Sequence, residues 1–455
     1  MSIARDLAAF FVSHKPADLP DRAMDHAAML IASTLASAAM GSGLESARIV
    51  KDMARSLGGS PRASIWFDIR DKLPVVAAAQ VNAVMSDAAA SDDSDLRTIV
   101  HCGTPLVATA LAAAEHHGDS GMDVLAAIVI GYELAGRIID GMPSFRERGF
   151  HGSNAAIFAA TGAAGRLLRL DADQMTHAIA LTATSTGGLV KAADTSTARE
   201  YHAGLATVNG IQAARAAQRG YSAEERILEI PLGFFEAFGG ENGTAAGAVA
   251  LRGLGESWDI ITDMAVKLVP GGHPYHALAE AAANAARDGD IDPERVDSIT
   301  VSRPGMTALS GPLHPADLID MAHSPAYFLA AGAADRDFGW ANATQEKIAD
   351  PRIHPLIDKV RVGPPPTENA ARYRQGATVT IRTSDGREAT NTVYEPKGSG
   401  MLGIDWADID AKYHSLVPLS GLPAPQIEAS LALIHHFRDL SDASELTNLL
   451  QVSEA

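Results

Sequence analysis

The chain reads as a mainly α protein: a large all-α helical domain built from both chain ends, with a smaller α+β domain inserted between them. Three observations carry this reading. Hydrophobic residues make up 47% of the 455 residues but aromatics only 5%, so alanine supplies much of the apolar content. Alanine has the best helix propensity and lets helices approach closely. Apolar stretches of helical length follow one another to about residue 265, and the texture changes near Lys267 to alternating, β-branched segments.

The first helices are expected at Ala27–Met40, Pro105–His116, Met122–Ile138, Ala155–Leu168 and Ala172–Thr184. Breaks fall at Gly41-Ser42-Gly43, at Ser91-Asp92-Asp93-Ser94-Asp95 and at Gly118-Asp119-Ser120-Gly121, which are turn-forming runs. Asp171 begins a helix, with acidic groups suited to its positive end. Val296–Ser302 and Ala377–Thr383 alternate as strands, and Ser384-Asp385-Gly386 turns the second into a returning strand at Ala389–Tyr394. Helices at Pro274–Ala286 and Ser324–Ala334 fall in the same segment. After Pro396-Lys397-Gly398 the pattern is helical again, at Pro425–Arg438 and Ser444–Leu450. The expected division is therefore 1–266 with 405–455 as the helical domain, and 267–404 as the α+β domain.

Composition excludes several classes. A net charge of −18 would repel nucleic-acid phosphates over most of the surface, and it obliges an anionic substrate to find locally gathered cations. The single cysteine, Cys102, rules out an internal disulfide and fits a reducing compartment. The opening residues carry acidic side chains and no apolar run of the signal-peptide kind. No uninterrupted apolar run reaches the roughly 18 residues that span a bilayer, and Val124–Tyr132 reads as a buried helix. A cytoplasmic protein with no membrane and no nucleic-acid partner is expected. There is no Walker A loop, no strand-linked G-x-G-x-x-G, no G-x-S-x-G elbow and no zinc-binding H-E-x-x-H or cysteine cluster.

Five stretches carry polar side chains suited to chemistry. Asp92-Asp93-Ser94-Asp95 followed by His101 could order a base or hold a divalent ion, or be a solvated capping loop. His151, between Gly149-Phe150 and Gly152-Ser153 and just before an Ala-rich helix, would feel that helix's positive end, or be a plain loop histidine. Arg199 could grip a carboxylate bidentately with His202 on the same turn, or open a helix in solvent. Lys267 with His273 and His276 suits a positive cleft wall, or a polar interdomain loop. Tyr327, after His323-Ser324-Pro325, could donate to a bound carboxylate, although packing is its default.

In their order, these pieces resemble the MmgE/PrpD family of 2-methylcitrate dehydratases and cis-aconitate decarboxylases. Ala79–Asp93 and His101-Cys102-Gly103-Thr104 are similar to its D-F-D-D-T and histidine-led segments. Gly149–Leu189 resembles its F-H block, Arg199–Gly204 its K-x-x-H-x-G step, and Lys267–His276 its K-x-x-P segment with a following histidine. Met321–Gly339, Pro396-Lys397-Gly398 and Lys412-Tyr413 resemble its closing elements. The resemblance spans about residues 65 to 415. It implies a smaller α+β lid over the helical domain, an active site in the cleft between them, a homodimer, and no metal or organic cofactor.

Departures stand out: the first aspartate of D-F-D-D-T falls on Ala90, its threonine on Ser94, a preceding histidine on Asp87, and the step's lysine on Arg199. Arginine keeps the charge but cannot act as a base, and Lys191 is the nearby lysine that could replace it. The family's shared task is making or quenching negative charge on carbon beside a carboxylate of a small polycarboxylic acid. On that basis His101 and His151 are the acid–base candidates, with Asp93 orienting His101 and Lys267 stabilising charge. Arg199, His202, Ser94, Lys191, His276 and Tyr327 are assigned to substrate. A dehydratase- or decarboxylase-like lyase is expected, with an imino-dicarboxylate epimerase and a non-catalytic polycarboxylate binder as alternatives.

Overall fold

The computed structural model describes residues 2–69, 72–400 and 402–452. Helices dominate, and the chain separates into two compact units, 1–266 with 404–455 and 267–403. Among the described residues no single helix is long and apolar enough to cross a membrane.

In the first unit, ten helices follow the Ala-rich segments: α1 Ile3–Ser13, α2 Asp21–Gly41, α3 Glu45–Leu57, α4 Val75–Ala88, α5 Gly103–His117, α6 Gly121–Asp140, α7 Ser153–Leu167, α8 Ala172–Ala183, the short α9 Val190–Thr195 and α10 Ala198–Gln218. Their ends are chemically marked. Ser120 accepts from the Asp123 N–H at the start of α6, and Asp171 and Gln174 cap each other's backbone at the start of α8. α6 is buried around nearly its whole circumference, including the apolar run Val124–Tyr132, as expected for a helix hydrophobic on all sides. It meets α7 at Gly131 and Gly162, where a Cβ on Gly162 would come 2.9 Å from the Gly131 Cα. Only small residues allow that approach.

The C-terminal segment belongs to this unit. Lys412, on the helix Trp406–Leu416, is almost fully buried, and its ammonium donates to Ser33 Oγ on α2 at 2.8 Å and to the Ser91 carbonyl.

The helical pattern expected to about residue 265, with turns at its joints, also contains strands. Two small antiparallel pairs interrupt it: β1 Ala63–Ser64 with β2 Lys72–Leu73, and β3 Asp93–Asp95 with β4 Met264–Val266, in the register Asp93↔Val266, Ser94↔Ala265 and Asp95↔Met264. The second pair also overturns the picture of a solvated acidic loop. Asp92, Asp93, Ser94 and Asp95 are each at most 2% exposed.

The second unit holds a four-stranded sheet in the order β6–β5–β7–β8, with β5 Val296–Ser302, β6 Val360–Val362, β7 Ala377–Thr383 and β8 Glu388–Val393. β5 and β7 match the predicted segments, and the turn after β7 places Gly386 at φ +84°. The sheet's apolar face packs with the helices His273–Asp288 and Pro325–Asp335 around Ile299, Val301, Val379, Ile381, Leu278 and Phe328.

Candidate active site

β3 is extended, so its side chains alternate between two faces. Asp92 and Ser94 turn toward His101. The Asp92 carboxylate lies 2.6 Å from His101 Nδ1, with Ser94 Oγ 3.3 Å from the same nitrogen. Asp93 and Asp95 face the other way. Asp93 accepts from the Gly103 N–H at the start of α5 (2.8 Å) and from the Tyr132 hydroxyl (3.2 Å), while Asp95 pairs with Arg97.

The expected partnership of Asp93 with His101 runs through the backbone and not the side chain. The orienting carboxylate belongs to Asp92, and Asp93 reaches the ring only through its backbone carbonyl, 2.6 Å from Nδ1. Ser94 likewise lies against His101. With the Asp93 carbonyl accepting at Nδ1 and the Asp92 carboxylate beside it, that nitrogen carries the proton, and Nε2 is left to exchange one.

His151 sits two residues before α7 and is 7% exposed. Its backbone N–H donates to the Gly188 carbonyl, Val190 N–H donates back to Gly149, and Ser153 approaches its Nδ1 at 3.2 Å through Oγ. The Ser153 hydroxyl is itself donated to the Gly187 carbonyl at 2.9 Å. Its imidazole is held well below the ordinary value, first by burial and then by the positive fields of His101, His202, Arg146 and Arg199. The expected shift is present, but burial leads it rather than the helix end.

His202, on α10, tilts against His151 with ring centroids 5.1 Å apart. Burial lowers its pKa too, Asp87 opposing. Its Nδ1 is buried without a hydrogen-bond partner among the described residues. The ring borders a cavity of about 340 Å³, which Ser153, Ser185, Thr186, Tyr201 and Asn209 also line.

Arg199 is neither exposed nor available as a carboxylate grip. Its Nε donates to Asp87 at 2.9 Å, and Nη2 donates to the carbonyls of Asp87 and Ala88 at 2.7 and 3.0 Å, closing the C-terminal end of α4. Burial works against its charge, but Asp87, Glu200 and Asp92 outweigh it, so the guanidinium stays protonated. The partner is Asp87, the position where the family pattern has histidine; the two departures are one ion pair. Lys191 lies exposed on α9, and its ammonium has no hydrogen bond or ion pair among the described residues.

In the second unit Lys267 is 2% exposed, and His273 and His276 stand on the first turn of a 16-residue helix, both buried. A polar loop is thereby excluded. The two rings lie 4.7 Å apart, His276 Nε2 contacts the Gly271 carbonyl at 3.3 Å, and His276 stacks on Phe328. Tyr327 departs from its assigned role. It is fully buried and donates its hydroxyl to the Asn342 carbonyl at 3.0 Å, so it is a core residue. His323 is spent on the Ile319 carbonyl at 2.8 Å.

Among the described residues, one trio has ligand atoms close enough for a metal ion: Asp173, His177 and Glu225. The Arg5 guanidinium already pairs with Asp173 at 3.0 Å and Glu225 at 2.7 Å, supplying the positive charge there.

The MmgE/PrpD N-terminal domain profile matches residues 5–246, and the MmgE/PrpD C-terminal domain profile matches residues 270–431. The chain belongs to the MmgE/PrpD family. Its similarity to human cis-aconitate decarboxylase is 24% identity over 462 residues, covering 99% of this chain and 95% of that protein. The mouse cis-aconitate decarboxylase is also 24% identical, over 99% of this chain and 93% of its own length. The cis-aconitate decarboxylase of Aspergillus terreus (strain NIH 2624 / FGSC A1156) is 26% identical over 84% of this chain and 82% of its own. Family and relatives together support a dehydratase- or decarboxylase-like role.

Proposed function

We propose that this chain is a lyase that decarboxylates cis-aconitate or a close unsaturated tricarboxylate, with His101 delivering the proton that completes the reaction. The observation that carries the reading is the Asp92–His101 contact of 2.6 Å, which fixes the ring and leaves Nε2 to work. The relatives named cis-aconitate decarboxylase support the substrate class.

The electron count is simple. The bond from the methylene carbon to its carboxylate breaks, and CO₂ leaves without the electron pair. That pair forms the new terminal alkene, the old double bond shifts its pair onto the next carbon, and the remaining carboxylate delocalises it. A proton from Nε2 of the His101 imidazolium then quenches that carbon, and the ring is left neutral with its proton on Nδ1.

The electrostatics favour this over proton abstraction. Arg199 is neutralised by Asp87, and His151 is held neutral. A weakly cationic, buried setting destabilises a localised carboxylate charge and favours its dispersal as neutral CO₂ leaves. An elimination or epimerisation begins instead by adding negative charge to an anion, which calls for a free cation.

Proton NMR in D₂O with cis-aconitate, 2-methylcitrate, citrate and iminodisuccinate isomers tests the proposal. Cis-aconitate should give a terminal alkene and one deuteron in the new methylene. Deuterium wash-in at iminodisuccinate with inversion and no alkene would replace the lyase with the epimerase, and inertness toward all four would overturn the enzymatic reading.

A further inference from the structure

A cavity of about 520 Å³ opens in the first unit, and no carboxylate lines it among the described residues. Its basic lining consists of the three arginines Arg62, Arg215 and Arg219 with His116 and His117, in a chain with 55 Asp and Glu against 37 Lys and Arg residues. Its floor is apolar, formed by residues such as Ala113, Ala164 and Ile211.

Asp119 lies 3.7 Å from His117 Nδ1, but the arginines have no such partner among the described residues. The guanidiniums of Arg62 and Arg215 have no hydrogen bond or ion pair among the described residues, and Arg219 spends one N–H on the Arg215 carbonyl at 2.9 Å. The adjacent carboxylates are engaged elsewhere: Glu115 with Ser64 and Lys72 at 2.7 and 2.9 Å, and Asp119 with Arg169 at 2.8 Å. Burial first, then the fields of His117, Arg62 and Arg215, lowers the His116 pKa, so both arginines act on the same space.

Unpaired guanidiniums converging over an apolar floor form a receptor for an anion with an apolar flank. We propose that this cavity binds a small organic anion of at least two negative charges, a phosphate ester or a polycarboxylate, at a site separate from the His101 cluster. Arginine's planar fork suits both anions, so the probes decide between them.

The test is calorimetric titration of the full chain, at low ionic strength, with ATP, pyrophosphate and tricarballylate. The comparison proteins are Arg62→Ser, Arg215→Ser, the double variant and His101→Asn, each checked by circular dichroism for an unchanged fold. We expect at least one probe to bind with a submillimolar Kd, weakened by about tenfold or more for each arginine removed and unchanged in His101→Asn. ATP or pyrophosphate binding assigns phosphate, and tricarballylate alone assigns polycarboxylate. Absence of binding by all three, binding that survives in the double variant, or binding lost in His101→Asn each overturns the proposal. So does a double variant that changes the sedimentation coefficient while no probe binds the parent, because the patch is then a protein–protein contact.

Discussion

Replacing Asp92 by asparagine isolates the contact on which the proposed chemistry rests. The substitution keeps the volume and the polar contact, but it removes the negative charge 2.6 Å from His101 Nδ1. Hydrogen bonds to charged groups contribute about 1.5–3 kcal/mol, against about 0.5–1.5 for neutral ones. If the difference of roughly 1–2 kcal/mol is felt when the proton moves, kcat falls by about fivefold to thirtyfold at about 1.4 kcal/mol per decade. KM should stay within about threefold, because Asp92 is assigned to the ring and not to the substrate. Asp93→Asn is the control. Its side chain serves the Gly103 N–H and the Tyr132 hydroxyl, so it should lower stability by about 1–3 kcal/mol while leaving kcat nearly intact. Initial rates of cis-aconitate turnover with urea melts of the three proteins measure both quantities. Full kcat in Asp92→Asn, or a larger kcat loss in Asp93→Asn with unchanged stability, would refute the assignment.

Three further outcomes are expected. Arg199→Met should cost about 3–5 kcal/mol because it strands Asp87, which is 2% exposed, and adding Asp87→Asn should restore part of the loss; additive effects in a urea double-mutant cycle would show that the pair is not coupled. His151 is held below the ordinary imidazole value, so the unfolded chain takes up a proton that the folded chain refuses. Its share of stability is lost as pH falls below about 6.5, by up to about 1.36 kcal/mol per pH unit, and His151→Asn should flatten the curve of unfolding free energy between about pH 6 and about pH 5 by that share; superimposable slopes would exclude a buried neutral His151. Tyr327→Phe should destabilise by about 1–3 kcal/mol through the Asn342 carbonyl, with kcat unchanged; a fall in kcat at unchanged stability would return Tyr327 to the substrate.

Fold and site were legible to different depths in the sequence, for identifiable reasons. β5 and β7 stand out because Val296–Ser302 and Ala377–Thr383 alternate β-branched residues, and burial alternates along them in the structure. β3 has no such composition. Ser91-Asp92-Asp93-Ser94-Asp95 has the chemistry of a turn and becomes a buried strand only because distant groups pay its desolvation: Tyr132, the α5 N-terminus, Arg97 and His101. Once the run is extended, its period of two separates Asp92 and Ser94 from Asp93 and Asp95. The carboxylate beside His101 follows from that alternation, which the turn-like composition of the run conceals.

Asp87 and Arg199 are a different case, since 112 residues separate them and no local period links them. Taken singly, a histidine position occupied by aspartate and a lysine position occupied by arginine look like two losses from the catalytic set. Joined, they form one neutral pair: a new anion answers a cation that is always protonated and has a fork able to hold one carboxylate and two carbonyls together. The pair ties the C-terminal end of α4 to the first turn of α10, and His202 follows Arg199 by three residues on that turn, against the His151 ring. Arg199 therefore acts on the cluster through the backbone that carries His202. Its replacement by lysine, which lacks the fork, should disturb His202 before it disturbs any substrate contact.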